Sequence, residues 1–202
     1  AGFLLLSILF FFFFNKSTKT VLPYFYTPDF FPVWVSEFVN TIFPFSFTNQ
    51  NGDSVSEKTI KGKVHIADFF FTTCPGICPK MTDNLSLIQA EFESNPSVVL
   101  LSYSVTPDRD DVATLKNYAD VKGVKSNKWH LLTGKREAIY TLARKSYFVD
   151  KELGLDKTAD EFLHTENFVL VDKNLRIRGV YNGTLKLEVK RCIEDIRILL
   201  QE

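Results

Sequence analysis

Two cysteines, Cys74 and Cys78, enclose Pro75, Gly76 and Ile77 and are followed at once by Pro79. In a chain of 202 residues, long enough to build its own core, a close thiol pair points to redox exchange or metal binding rather than to a disulfide framework. Disulfide oxidoreductases of the thioredoxin kind leave two residues between their cysteines. The extra residue here widens the bite, so that both sulfurs can face one ion. The plain alternative, a structural disulfide or two packed thiols, suits a strand–helix junction flanked by prolines poorly. The third cysteine, Cys192, falls in step with Val189, Ile193, Ile196 and Leu200 and reads as the core stripe of a helix.

Two thiolates alone enclose an ion poorly, which directs attention to the histidines His65, His130 and His164. His65 lies inside an apolar run and His130 follows Trp129 in a short one, so both read as packed strand residues. His164 closes a polar stretch, DKELGLDKTADEF, and directly precedes an apolar strand. That loop–strand junction is expected to face the cysteine-bearing turn. Two soft sulfurs with one imidazole suit copper or zinc, and a three-coordinate set leaves room for ligand exchange.

The elements around these residues follow from period and punctuation. FSFTNQNGDSV alternates around Asn51-Gly52 and reads as a β-hairpin. KVHIADFFF, residues 63–71, is a buried strand that runs straight into the cysteines. From Pro79 the apolar residues Met81, Leu85, Ile88 and Phe92 keep helical steps until Asn95-Pro96. A second buried strand spans 97–105, and TPDRDD opens a helix to about Val121. Asp108, Asp110 and Asp111 read most simply as charges favoured at that helix start. A strand at 129–132, a helix at 135–146, strands at 168–171 and 176–181 and a helix at 185–200 complete the order. Phe69, Phe70 and Phe71 read as core. This alternation predicts an α/β fold with a central mixed sheet flanked by helices, the cysteines lying where a central strand meets a helix N-terminus. Unpaired N–H groups there are expected to lower thiol pKa values.

Lysine plus arginine and aspartate plus glutamate each number 24, and basic residues do not cluster with aromatics, which argues against nucleic-acid binding. Residues 1–15 carry the uncharged run FLLLSILFFFFF, shorter than the roughly 20 apolar residues that span a bilayer. It is read as a transmembrane anchor or signal segment, here only in part. The lack of a small-x-small cleavage pattern after it favours a retained anchor. Residues 16–44 form an aromatic, proline-rich arm, in which Tyr24, Tyr26 and Trp34 suit either a membrane–water interface or packing on the domain. Residues 45–202 are the expected domain.

FFFTTCPGICPKM resembles the signature of Sco/SenC proteins, an aromatic strand followed by C-P-x-x-C-P. HTENFVLVD, SYSVTPDRDDVATLKNY and WHLLTG resemble further blocks of that family, and the likeness runs from about Phe45 to the C-terminus. The resemblance implies a thioredoxin-like fold with an N-terminal membrane anchor and hairpin, holding copper as Cu(I) or Cu(II) on Cys74, Cys78 and His164. It implies delivery of copper to the binuclear copper site of cytochrome c oxidase, or preparation of that site's thiols, the partner being the copper-bearing subunit. It also implies a location at the cytoplasmic (inner) membrane with the domain facing the periplasm. Consistent with this, no proline follows Pro107, so the cis-proline that thioredoxin-like reductases set against their cysteines has no counterpart. Two departures stand out: Thr106 where many members carry aspartate, and Val169 where many carry an aromatic residue. The other functional class is a membrane-anchored thiol–disulfide oxidoreductase in which Cys74 attacks and Cys78 resolves. That chemistry uses the redox pair without His164. A peroxide-reducing enzyme fits less well, since TTCPG lacks a proline before the reactive cysteine.

Overall fold

Ser46–Asn49 (β1) and Ser54–Ser56 (β2) alternate buried and exposed residues and pair antiparallel. Gly52 takes φ +86° in their connection, a left-handed conformation that a side chain disfavours. The computed structural model describes residues 21–34, 40–149, 162–163 and 165–202. The 1–15 segment, most of the polar stretch before β6, and His164 itself lie outside them.

A four-residue helix, Glu57–Ile60 (α1), follows β2. Its N-cap Ser56 and Thr59 exchange side-chain bonds with each other's backbone, and it seats Ile60 in the core. Next come Val64–Phe70 (β3), Ile77–Glu91 (α2), Val98–Ser104 (β4) and Val112–Lys122 (α3). Trp129–Thr133 (β5), Arg136–Lys145 (α4), Asn167–Val171 (β6), Ile177–Asn182 (β7) and Lys186–Gln201 (α5) complete the chain. The strands form one seven-stranded sheet in the order β2-β1-β5-β4-β3-β6-β7. β3, β4 and β5 run parallel, while β6 returns antiparallel beside β3. The mixed α/β sheet expected from the alternation is therefore present.

The period of two along β3 sorts the core into two layers. Val64, Ile66 and Phe70 pack with Met81, Leu85 and Ile88 of α2 and with Val189, Cys192 and Ile196 of α5. Ala67 and Phe69 face the other way, with Leu101, Tyr103 and the α4 residues Ile139, Leu142 and Ala143. Phe71 is only partly buried and touches both layers at the strand's end. Cys192 is fully buried, in agreement with its helical step. Gly179 is required by close approach, because a Cβ there would stand 2.1 Å from the Tyr181 hydroxyl, which donates to Asp195.

The described part of the arm packs on the sheet. Phe25 N–H donates to Ile177 O and Ile42 N–H to Leu175 O, while Leu22 and Ile42 are buried. Tyr24 lies over the Arg178 guanidinium at 4.1 Å, whereas Trp34 is 64% exposed. Among the described residues no helix is long and apolar enough to cross a membrane.

Candidate thiol and metal site

β3 ends at Phe70, and the chain turns through TTCPG before α2 begins at Ile77. Gly76 occupies the N-cap position and has no side chain to cap the helix, so the first N–H groups of α2 are free to serve another acceptor. That acceptor is Cys74. The backbone N–H groups of Gly76, Ile77 and Cys78 and the Cys78 thiol all favour negative charge on its sulfur. Burial alone would push the Cys74 thiol up, but these donors outweigh it and hold Cys74 below the ordinary thiol range.

Cys78, in the first turn of α2, goes the other way. Burial, the hydrogen bond and charge of Cys74, and the nearby Asp68 carboxyl push it up to about 12, against a bond from the Phe71 N–H. The expectation that the helix start lowers both thiols is thus corrected for Cys78, which lies deeper and beside its partner's charge. The pair is asymmetric: Cys74, 9% exposed, is the less deeply buried and the more easily ionised thiol, while Cys78, 4% exposed, is held protonated. Both are free thiols. Alkylation with iodoacetamide at neutral pH is expected to label Cys74 first, about tenfold or more ahead of Cys78. Cys192, pushed up by burial and by Asp195, is expected to react only on unfolding. Peptide mapping of a time course checks the order, and first labelling at Cys78 would overturn it.

Asp68 is a residue that sequence reasoning passed over. It sits on β3, 3% exposed, on the same face as Ile66 and Phe70. Burial raises its carboxyl to about 7, partly offset by the Ser102 hydroxyl that donates to it. Ser102 Oγ in turn accepts from Trp129 Nε1 at 2.8 Å. The available signal was a lone acid inside the apolar run HIADFFF.

Two of the three histidines face away from the cysteines. His65 shares the layer of Ala67 and Phe69 and is wholly buried. Its Nε2 meets Tyr147 Oη at 3.1 Å, and burial lowers its pKa to about 3. His130 pairs across the sheet with Leu101, another member of that layer, and its Nδ1 lies 3.4 Å from Asn49 Nδ2. Neither can join Cys74 and Cys78, which belong to the opposite layer. Among the described residues no three ligating side chains converge.

Position 164 lies between Leu163 and Thr165, 1% and 9% exposed. Thr165 Oγ1 accepts from Asn167 N at 3.1 Å as β6 starts. Because β6 runs antiparallel to β3, with His65 opposite Val171, its first residues stand at the cysteine end of the sheet. One residue before Leu163, the Phe162 ring meets Phe71 edge-on at 5.5 Å between centroids.

The SCO1/SenC family model matches residues 36–201. The chain belongs to the SCO1/SenC family. The SCO1 protein homolog of Bacillus subtilis is 34% identical over 158 residues, 76% of this chain and 80% of that protein. The solved structure of BsSco, described as a member of the Sco family of cytochrome c oxidase assembly proteins with a disulfide switch, superposes with a TM-score of 0.67 at 31% identity. It covers 81% of this chain and 95% of its own. ScoI of Bradyrhizobium japonicum, solved with copper bound, superposes with a TM-score of 0.62 at 27% identity, covering 80% and 99%. Of the two family departures, Val169 is fully buried beside β3, and Thr106 is partly buried with its Oγ1 donating to Asp110 Oδ2 at 3.1 Å.

Proposed function

We propose that this SCO1/SenC member is a copper metallochaperone that binds copper through Cys74, Cys78 and His164 and serves assembly of the binuclear copper site of cytochrome c oxidase. The observation that carries the reading is the meeting of two segments at one end of the sheet. Two thiols that shift each other's ionisation sit there, and Phe162, two residues before His164 in sequence, meets Phe71, three before Cys74. Two soft sulfurs and an imidazole form a donor set that fits copper, and a site three-coordinate at most keeps a position open for an incoming ligand. Copper is cargo here, passed by stepwise exchange of one ligand at a time to a docked recipient. The copper-bound relative and the place of BsSco among cytochrome c oxidase assembly proteins support the same assignment.

The apolar run before residue 15 supports an N-terminal membrane anchor, residues 16–44 a connecting arm and residues 45–202 the domain, at the cytoplasmic membrane and facing the periplasm. Protein purified with its thiols kept reduced is expected to take up one copper per chain, counted by elemental analysis against protein mass. A chain that stays metal-free in excess copper sinks the reading. The second reading, thiol–disulfide exchange with Cys74 attacking and Cys78 resolving, is favoured by the asymmetry of the pair and by the disulfide switch of BsSco.

A further inference from the structure

We propose that Asp110 is a positioning residue that fixes the turn carrying Cys74 against the end of β4; the inference rests on the reading of Cys74 and Cys78 as working thiols. Among three neighbouring acids, Asp111 does what a helix-start charge should, capping α3 by accepting from Thr114 N at 2.8 Å. Asp110 does something else. It is 0% exposed, and its two oxygens accept four hydrogen bonds from three separate points of the chain.

Oδ1 accepts from Thr72 Oγ1 at 2.5 Å. Oδ2 accepts from Thr72 N at 3.2 Å, from Ser104 Oγ at 2.6 Å and from Thr106 Oγ1 at 3.1 Å. Asp110 N–H returns a bond to Thr106 O at 2.9 Å, which closes the knot. Its place in the chain gives the knot its consequence. The β3–β4 ladder ends with Val105 N–H on Phe70 O. Thr72 is the next point at which the strand-to-helix turn is held, two residues before Cys74. Whether the N–H groups of residues 76–78 meet the Cys74 sulfur depends on where that turn is set. A buried carboxylate is costly unless every lone pair is used, and a carboxylate is the side chain that accepts four bonds and donates none. Here all four donors are supplied by the elements it joins.

The test is the thiol–disulfide equilibrium of the Cys74/Cys78 pair in glutathione buffers, quantified by acid quench, alkylation and mass measurement. Oxidised glutathione takes the two electrons as the Cys74–Cys78 bond forms and two reduced glutathiones leave. Loosening the turn separates the thiols on average and disfavours their bond. Asp110→Ala is expected to lower the equilibrium constant for disulfide formation about tenfold, ~30 mV toward the oxidising side. Asp110→Asn is expected to stay within about threefold of the wild type, since its Oδ1 can accept where Oδ2 did while its amide donates to Thr72 Oγ1. Thr72→Val, which removes one of the four bonds, is expected to fall between them. An Asp110→Ala equilibrium within about twofold of the wild type overturns the proposal, and so does Asp110→Asn behaving like Asp110→Ala, which would assign the effect to charge. Should Asp110→Ala fail to fold, Thr72→Val decides: no shift overturns the proposal. The readout needs no copper, so failure of copper binding leaves the comparison intact. Failure of the pair to exchange with glutathione would show in the wild type alone and count against the working-thiol reading.

Discussion

His164→Ala is expected to weaken copper retention by roughly 100-fold or more, while disulfide exchange through Cys74 and Cys78 stays within about twofold of the wild type. Residues that only orient a ligand already cost about 10–100-fold in metal affinity when removed, so losing a ligand itself sets a higher floor. The thiol chemistry has no comparable dependence. The donors that hold Cys74 below its ordinary range are N–H groups of residues 76–78 and the Cys78 thiol, all within one turn of chain. Retention is read by competition with a chromophoric copper(I) chelator, and exchange by reaction with oxidised glutathione. Neither His65 nor His130 can substitute, because both point into the opposite layer. If the alanine variant keeps its copper, the ligand set named here is wrong. If it loses thiol exchange as well, the two functions are not separable in the way the geometry indicates.

The same division explains how one turn would serve both proposed chemistries. A dithiol whose members sit at different depths can form a disulfide, with Cys78 protonated until Cys74 has reacted, and the reduced pair can also present two sulfurs to a soft ion. Oxidation and copper loading are then mutually exclusive states of one site. The proposed copper chemistry differs from plain disulfide exchange by an imidazole that is remote in sequence and is carried by the chain leading into β6.

The sheet was legible because its strands obey simple rules. β3 and β4 are continuous apolar runs with both faces covered, which is how central strands read. The hairpin was legible from Asn51-Gly52, and α5 from the step that includes Cys192. Pro79 marks the first turn of α2, which begins at Ile77, because proline signals a first turn without saying which position of that turn it fills. α1 escaped because four residues carry no period; its evidence is a local capping exchange between Ser56 and Thr59. Within the site, the cysteines announced themselves by spacing, but their opposite shifts did not, since depth is a property of packing. Asp110 shows the limit most sharply. In TPDRDD it cannot be told from Asp108 or Asp111, yet only the fold brings Thr72 and Ser104 to it.

Arg178→Met is expected to destabilise the fold by about 3 kcal/mol, the low end of the 3–5 kcal/mol typical of breaking a buried ion pair. The Arg178 side chain is 0% exposed and lies 2.6 Å from Glu202 and 3.2 Å from Asp172. It also donates to Leu22 O at 2.7 Å and to Pro23 O at 3.1 Å, with the Tyr24 ring over its face. Asp172 would keep Arg176 at 2.8 Å and Glu202 is a third exposed, so neither acid is left buried and alone. The larger loss falls on the arm, whose two carbonyls lose their donor and whose Tyr24 loses a cation. Chymotrypsin is therefore expected to cut the variant faster at Tyr24–Tyr26, and urea titration to show the lower stability. Arg178→Lys is expected to recover only part of both, since a single ammonium cannot span two carboxylates and two carbonyls as the planar fork does. Thiol exchange should not change, because Ile177 pairs with Val171, opposite the start of β3 and a strand's length from Cys74. A variant as stable as the wild type, with the arm equally resistant, would show that the arm is held by its apolar contacts alone.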